Sequence, residues 1–198
     1  MVNGYTYDGE LAAEGQYPWM ALVEVRSVHT DKENFCGGAL ISKRHVLSAA
    51  HCFRGKDKTV VLYRPERIRL GVLYRSIPSN PRDTYQIKSL KIHHAFNRNS
   101  FPYKYDLAIL ETDRDVTFTQ SIYPICLPEE GEDFIGDNAE TAGERKNLYK
   151  SLPDAFSIYS TLLNLTLSNF CTNCCLQAGV VLMEPMLLMN FIEQMSIL

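Results

Sequence analysis

The chain has 198 residues, 45% of them hydrophobic and 22% charged, with a formal net charge of −3. This is an ordinary globular composition, and its balance of charge supplies no basic surface for nucleic acid and no polybasic anchor for lipid headgroups. Its most apolar stretch, residues 176–198, is broken by Glu184, Pro185, Asn190, Glu193 and Gln194, so no membrane span is expected where about 20 mostly apolar residues are needed.

The chain opens Met1-Val2-Asn3-Gly4, without the basic and apolar regions of a secretion leader. Residues 19–26 are mainly apolar, with β-branched Val23 and Val25 near the end; after a polar loop, residues 35–42 form a second apolar run. The pair predicts a hairpin with a long tip. Residues 60–63, 68–72 and 85–92 predict further short strands, separated by polar or Pro-bearing turns such as Ser76-Ile77-Pro78-Ser79-Asn80-Pro81. Many short strands with frequent turn signals point to a sandwich or barrel.

The character changes after Gly143. Ten of the eleven glycines lie at or before it, no Lys or Arg follows Lys150, and from Ala155 onward the only charged residues are Glu184 and Glu193. A turn-rich β domain needs glycine for its tight turns. The expectation is therefore a domain over residues 1–143 and a poorly structured tail over 144–198.

Two segments carry chemistry. In Leu47-Ser48-Ala49-Ala50-His51-Cys52, small residues let the backbone pack closely beside a histidine. A disulfide between Cys36 and Cys52 would fix the loop that presents the ring, as a general base requires. In Tyr105-Asp106-Leu107-Ala108-Ile109-Leu110, one carboxylate stands at the mouth of an apolar strand. Its burial is costly without a hydrogen-bonding partner. A neutral histidine directing a ring N–H at Asp106 would be that partner, and Asp106 would set the tautomer.

These segments resemble the trypsin-like, chymotrypsin-fold family of serine endopeptidases. Val2-Asn3-Gly4 is similar to its mature N-terminus and Gln16-Tyr17-Pro18-Trp19 to its first barrel strand. Phe35-Cys36-Gly37-Gly38-Ala39-Leu40-Ile41 and Ser48-Ala49-Ala50-His51-Cys52 resemble its histidine region. Asp106-Leu107-Ala108-Ile109-Leu110 resembles its aspartate region, Tyr123-Pro124-Ile125-Cys126-Leu127-Pro128 the link between its two barrels, and Thr141-Ala142-Gly143 the start of the next strand. Several motifs in the right order make the resemblance specific. It implies an all-β, chymotrypsin-like antiparallel barrel, the first barrel complete and the second incomplete or replaced. It further implies hydrolysis of protein or peptide substrates through an acyl-enzyme, with His51 as general base and Asp106 as its orienting acid. No cofactor is implied, and an extracellular location is. In two-chain members the cysteine matching Cys126 ties the domain to an upstream chain; here Cys126 is expected to be an orphan or to pair with Cys171, Cys174 or Cys175.

The departures are equally specific. The family nucleophile stands in Gly-Asp-Ser-Gly-Gly, yet here no glycine is followed two places later by serine. With that motif go the backbone donors of the oxyanion hole. Trp19 is the only tryptophan, so the tryptophan-bearing strands around the specificity pocket are missing as well. Three readings compete: a truncated splice form or gene model of a protease, a non-catalytic homologue that binds a partner, and an enzyme with its serine elsewhere. The sequence favours the first and ranks the third last.

No metal is expected. His93-His94 reads as a strand end followed by a loop. Cys171-Thr172-Asn173-Cys174-Cys175 lacks a second pair of zinc ligands, and Asp83 is the only acid between Gly71 and Gln86, too few for calcium. Asn164-Leu165-Thr166 is a glycosylation triplet of a kind that often occurs by chance.

Overall fold

The structure, a computed structural model, describes residues 10–54, 62–77, 80–97, 104–128, 139–144 and 156–161. Val2-Asn3-Gly4, the Asn164 triplet, Cys171, Cys174, Cys175 and the apolar stretch 176–198 lie outside the described residues. Nine strands occur among those described: β1 (Glu10–Leu11), β2 (Met20–Ser27), β3 (Glu33–Leu40), β4 (His45–Ser48), β5 (Tyr63–Leu70), β6 (Thr84–Ile92), β7 (Ala108–Thr112), β8 (Ala139–Glu144) and β9 (Phe156–Thr161). The helical turns among them are two 3₁₀ segments, Ala50–Cys52 and Pro81–Asp83.

Six strands close an antiparallel barrel in the order β2-β3-β4-β7-β6-β5, with β5 returning to β2. The all-β class and the complete first barrel are thus what the chain adopts. Alternation along β2 explains the packing. Ala21, Val23 and Val25 point into the barrel, where they meet Leu40, Val46, Ile68, Leu70, Tyr85 and Leu110. Met20 and Leu22, one residue out of phase, face the other way and pack with Ala142, Tyr17, Trp19, Phe35 and Val72. A strand buried on both faces reads as a continuous apolar run, which is why residues 19–23 are uninterrupted in sequence before Glu24.

The β2–β3–β4 corner requires glycine at 38. A Cβ there would lie 2.7 Å from Val46 Cγ1 and 3.0 Å from the Leu47 carbonyl oxygen, closer than packed atoms tolerate.

One predicted break does not exist. Residues 60–63 and 68–72 were expected to form two strands; residues 60 and 61 lie outside the described residues, and Tyr63–Leu70 is a single strand that Gly71, at φ +63°, ends. Its register against β2 slips between Glu24 and Val25, so that Arg67 faces Glu24 and Pro65 faces Val25 with Glu66 left over. A bulge absorbs a proline, which cannot donate to a regular ladder. Arg26 secures the bulge with a two-pronged contact, Nε to Glu66 Oε1 at 2.7 Å and Nη2 to Oε2 at 3.0 Å.

Outside the barrel, β1, β9 and β8 form a three-stranded sheet with β9 in the middle. The sequence assigned no element beyond residue 143, yet Phe156–Thr161 is a strand that pairs antiparallel with both neighbours. Phe156-Ser157-Ile158-Tyr159-Ser160-Thr161 alternates apolar and polar over its first three residues and is rich in β-branched and aromatic types, a pattern suited to a strand. The loss of glycine and charge after 143 concealed it. β8 itself begins at Ala139 and contains the expected Thr141-Ala142-Gly143.

Candidate active site

Sheet register brings the two chemistry-bearing segments together. β4 and β7 pair antiparallel, with Ser48 opposite Ala108. The chain leaving β4 therefore lies beside the chain entering β7. His51 sits in the 3₁₀ turn Ala50–Cys52, three residues past β4, and Asp106 lies two residues before β7.

Each side chain is held from below. Ala49 and Ala50 are fully buried beneath the turn. Ser48 donates its hydroxyl to the Gly37 carbonyl at 2.8 Å, which joins the end of β4 to β3. Cys52 is bonded to Cys36 of β3, 16 residues away in sequence, as the sequence led one to expect. Closing a loop of about this size contributes on the order of 3 kcal/mol by restricting the unfolded chain.

Asp106 is buried, its side chain 2% exposed, and it accepts twice from one residue. The His51 backbone N–H reaches Oδ1 at 2.8 Å and the ring Nδ1 reaches Oδ2 at 2.7 Å. Hydrogen bonds to an ionised acceptor are about twice as strong as neutral ones, and together they offset the cost of burying a carboxylate. With the ring proton on Nδ1, the lone pair is on Nε2, the nitrogen a base uses. The ring remains 22% exposed, so substrate or solvent can reach it. This half of the arrangement can accept a proton and stabilise the resulting imidazolium.

Other sequence expectations fall as follows. Cys126 is exposed and in no disulfide with a described cysteine. The Arg69 guanidinium donates to the carbonyl oxygens of Arg75 and Ile77, so a cation in the loop after Gly71 would have to compete with it for these acceptors. β6 ends at Ile92, where the strand was expected to end, but the sequence gave no hint of what His93 does there. Its ring is buried and stacks on Tyr105, the residue before Asp106. The cue was present as an aromatic residue beside each partner segment, although nothing local joins them.

A family model described as Trypsin matches residues 6–146. Among curated relatives, the chain is 34% identical over 132 residues to CLIP domain-containing serine protease B10 of Anopheles gambiae, covering 61% of this chain and 36% of that protein. It is 34% identical over 142 residues to serine protease filzig of Drosophila melanogaster, covering 71% of this chain and 8% of that protein. With phenoloxidase-activating factor 3 of Holotrichia diomphalia it shares 33% over 143 residues, covering 68% of this chain and 41% of that protein. The chain thus spans well under half of each of these relatives. Among solved structures, GrC superposes with a TM-score of 0.62 at 23% identity, covering 76% of this chain and 62% of that one. HL collagenase gives 0.62 at 21%, covering 78% and 61%. At such identities these structures bear on the fold alone.

Proposed function

This chain belongs to the trypsin family, and from that premise we propose that it carries the base-and-acid half of a serine endopeptidase site, His51 as general base and Asp106 as its orienting acid, with no nucleophile among these 198 residues. The observation that carries the reading is the double acceptance by buried Asp106 from His51, at 2.8 and 2.7 Å. That contact sets the tautomer and direction of the ring, and neither is needed for packing alone.

The chain as it stands is then inactive as a protease. In whole enzymes that have lost a triad member, a residual ~10³–10⁴-fold enhancement survives through the oxyanion hole and substrate binding. Here no Gly-Asp-Ser-Gly-Gly motif is present to supply those donors. A serine-directed fluorophosphonate is expected to leave every one of the thirteen serines unlabelled. Stoichiometric labelling that His51→Ala abolishes would sink this reading and show that a serine outside the family motif serves as nucleophile.

A second reading, a non-catalytic homologue that binds a partner, gains from the pairing of β9 with β1 and β8, because it gives part of 144–198 a place in a sheet. The protease relatives support protein substrates, and the exposure of Cys126 leaves its thiol accessible to a second chain; an extracellular location goes with this reading. Among the described residues no helix is long and apolar enough to cross a membrane.

A further inference from the structure

Tyr105 and Asp31 are the described non-glycine residues with positive φ, both at 55°. A bulky aromatic residue seldom adopts this left-handed conformation, and it persists only where the surroundings impose it. At Tyr105 one neighbour makes contacts on both sides of the turn. The Tyr105 ring lies on the His93 ring, centroids 4.9 Å apart and planes 15° apart, and His93 lies in turn on His94 at 4.8 Å and 20°. The His93 backbone N–H donates to the Leu107 carbonyl at 2.9 Å, while the Leu107 N–H donates to the Tyr105 carbonyl at 2.8 Å. The tight turn Tyr105-Asp106-Leu107 is therefore fastened to His93 on both sides of Asp106, by a ring before it and a backbone bond after it.

His93 is suited to this in its neutral form. Its Nδ1 accepts from the Ala95 N–H at 3.1 Å, which places the ring proton on Nε2. Burial, and then the neighbouring His94, lower its affinity for a second proton.

We propose that His93 is a positioning residue for the His51–Asp106 pair: through its stack on Tyr105 it holds the left-handed backbone that aims the Asp106 carboxylate at both N–H groups of His51. The role rests on the reading of that pair given above. It differs from core filling in one respect, because it needs a flat ring at 93 and not merely apolar volume.

The test uses the full chain and the low-field proton resonance of the His51 Nδ1–H, assigned by its disappearance in His51→Ala. A proton held in a short bond to a carboxylate lies far downfield and exchanges slowly. His93→Phe keeps the ring and gives up the Nδ1 acceptor; His93→Leu keeps apolar volume and gives up the stack. The resonance is expected to stay in place in His93→Phe, and to vanish or move upfield in His93→Leu while the core methyl spectrum is unchanged. Its persistence in His93→Leu, or equal loss in both variants, would overturn the proposal. Should His93→Leu fail to fold, Tyr105→Ala removes the ring while keeping the Cβ that makes φ +55° costly for the backbone. It is expected to fold and lose the resonance, and retention there would overturn the proposal too. A wild-type chain without the resonance would show instead that the His51–Asp106 pair does not form, and the positioning role would fall with it.

Discussion

At the residue scale, two features bear on stability: a glycine that lets strands approach and histidines whose burial disfavours a proton. Gly38 admits Val46 and the Leu47 carbonyl closer than any Cβ allows. Gly38→Ala is expected to destabilise the barrel by about 1–3 kcal/mol through overpacking, seen as a lower urea midpoint at unchanged slope. An unchanged midpoint would mean that the corner can open without strain. His45 and His93 both have their proton affinity lowered, chiefly by burial. Both take up a proton less readily when folded than in the unfolded chain, where they titrate around the ordinary value of 6.5. As pH falls below 6.5, the unfolded state binds protons that the folded state refuses, so stability declines downward from there and is insensitive to these groups above it. Glu66 and Glu111 have lowered affinities caused first by Arg26 and Lys88 respectively. Their stabilisation is present above 4.5 and is lost as pH falls further, a separate and lower window. Thermal midpoints between about pH 7.5 and about 5.5 should fall less steeply in a His45→Gln/His93→Phe variant than in the wild type. Parallel curves would exclude both histidines as the cause.

Among the elements, the β3–β4 unit is held covalently as well as by pairing. Removing the Cys36–Cys52 bond with alanine at both positions is expected to cost about 3 kcal/mol for a loop of this size, read as a drop in the urea midpoint. A loss below about 1 kcal/mol would mean that the unfolded chain already restricts this loop. The elements also show what a sequence reveals and what it hides. β2, β3 and β6 were legible because apolar runs or alternation extend over most of their length, and His51 and Asp106 because small residues and an apolar strand flank them. β5 was misread because Pro65 and the bulged Glu66 interrupt its pattern, and their tolerance depends on the partner strand. β9 was missed because composition over 144–198 says nothing about a six-residue strand with distant partners. The His93–Tyr105 stack joins positions whose proximity only the β6–β7 pairing creates.

For the whole molecule, the sheet β1-β9-β8 ties residue 10 to residue 158 and residue 11 to residue 157. It lies beside the second face of β2, where Ala142 packs on Met20 and Leu22. The Trp19 indole N–H is buried there with no acceptor among the described residues. If β1 supports β9, deleting residues 1–11 should speed amide exchange at 156–161 and leave β2 to β7 as protected as before. Peptic digestion is the method, since no Lys or Arg follows Lys150. Unchanged exchange at 156–161 would mean that β8 alone sustains the strand.

The barrel order also has a temporal meaning. β7 is inserted between β4 and β6, so those two strands, already made, keep unpaired edges until residue 112 has been synthesised. From residue 48, where β4 ends, that is 64 residues (112 − 48), or about 3–13 s at ~5–20 residues per second on the ribosome. Through that interval the nascent chain carries an open edge of the kind that recruits other chains, and the strand that closes it arrives directly behind Asp106. The acid thus reaches His51 together with the strand that ends the chain's exposure to aggregation. A lesion that delays β7 would harm solubility and site assembly together.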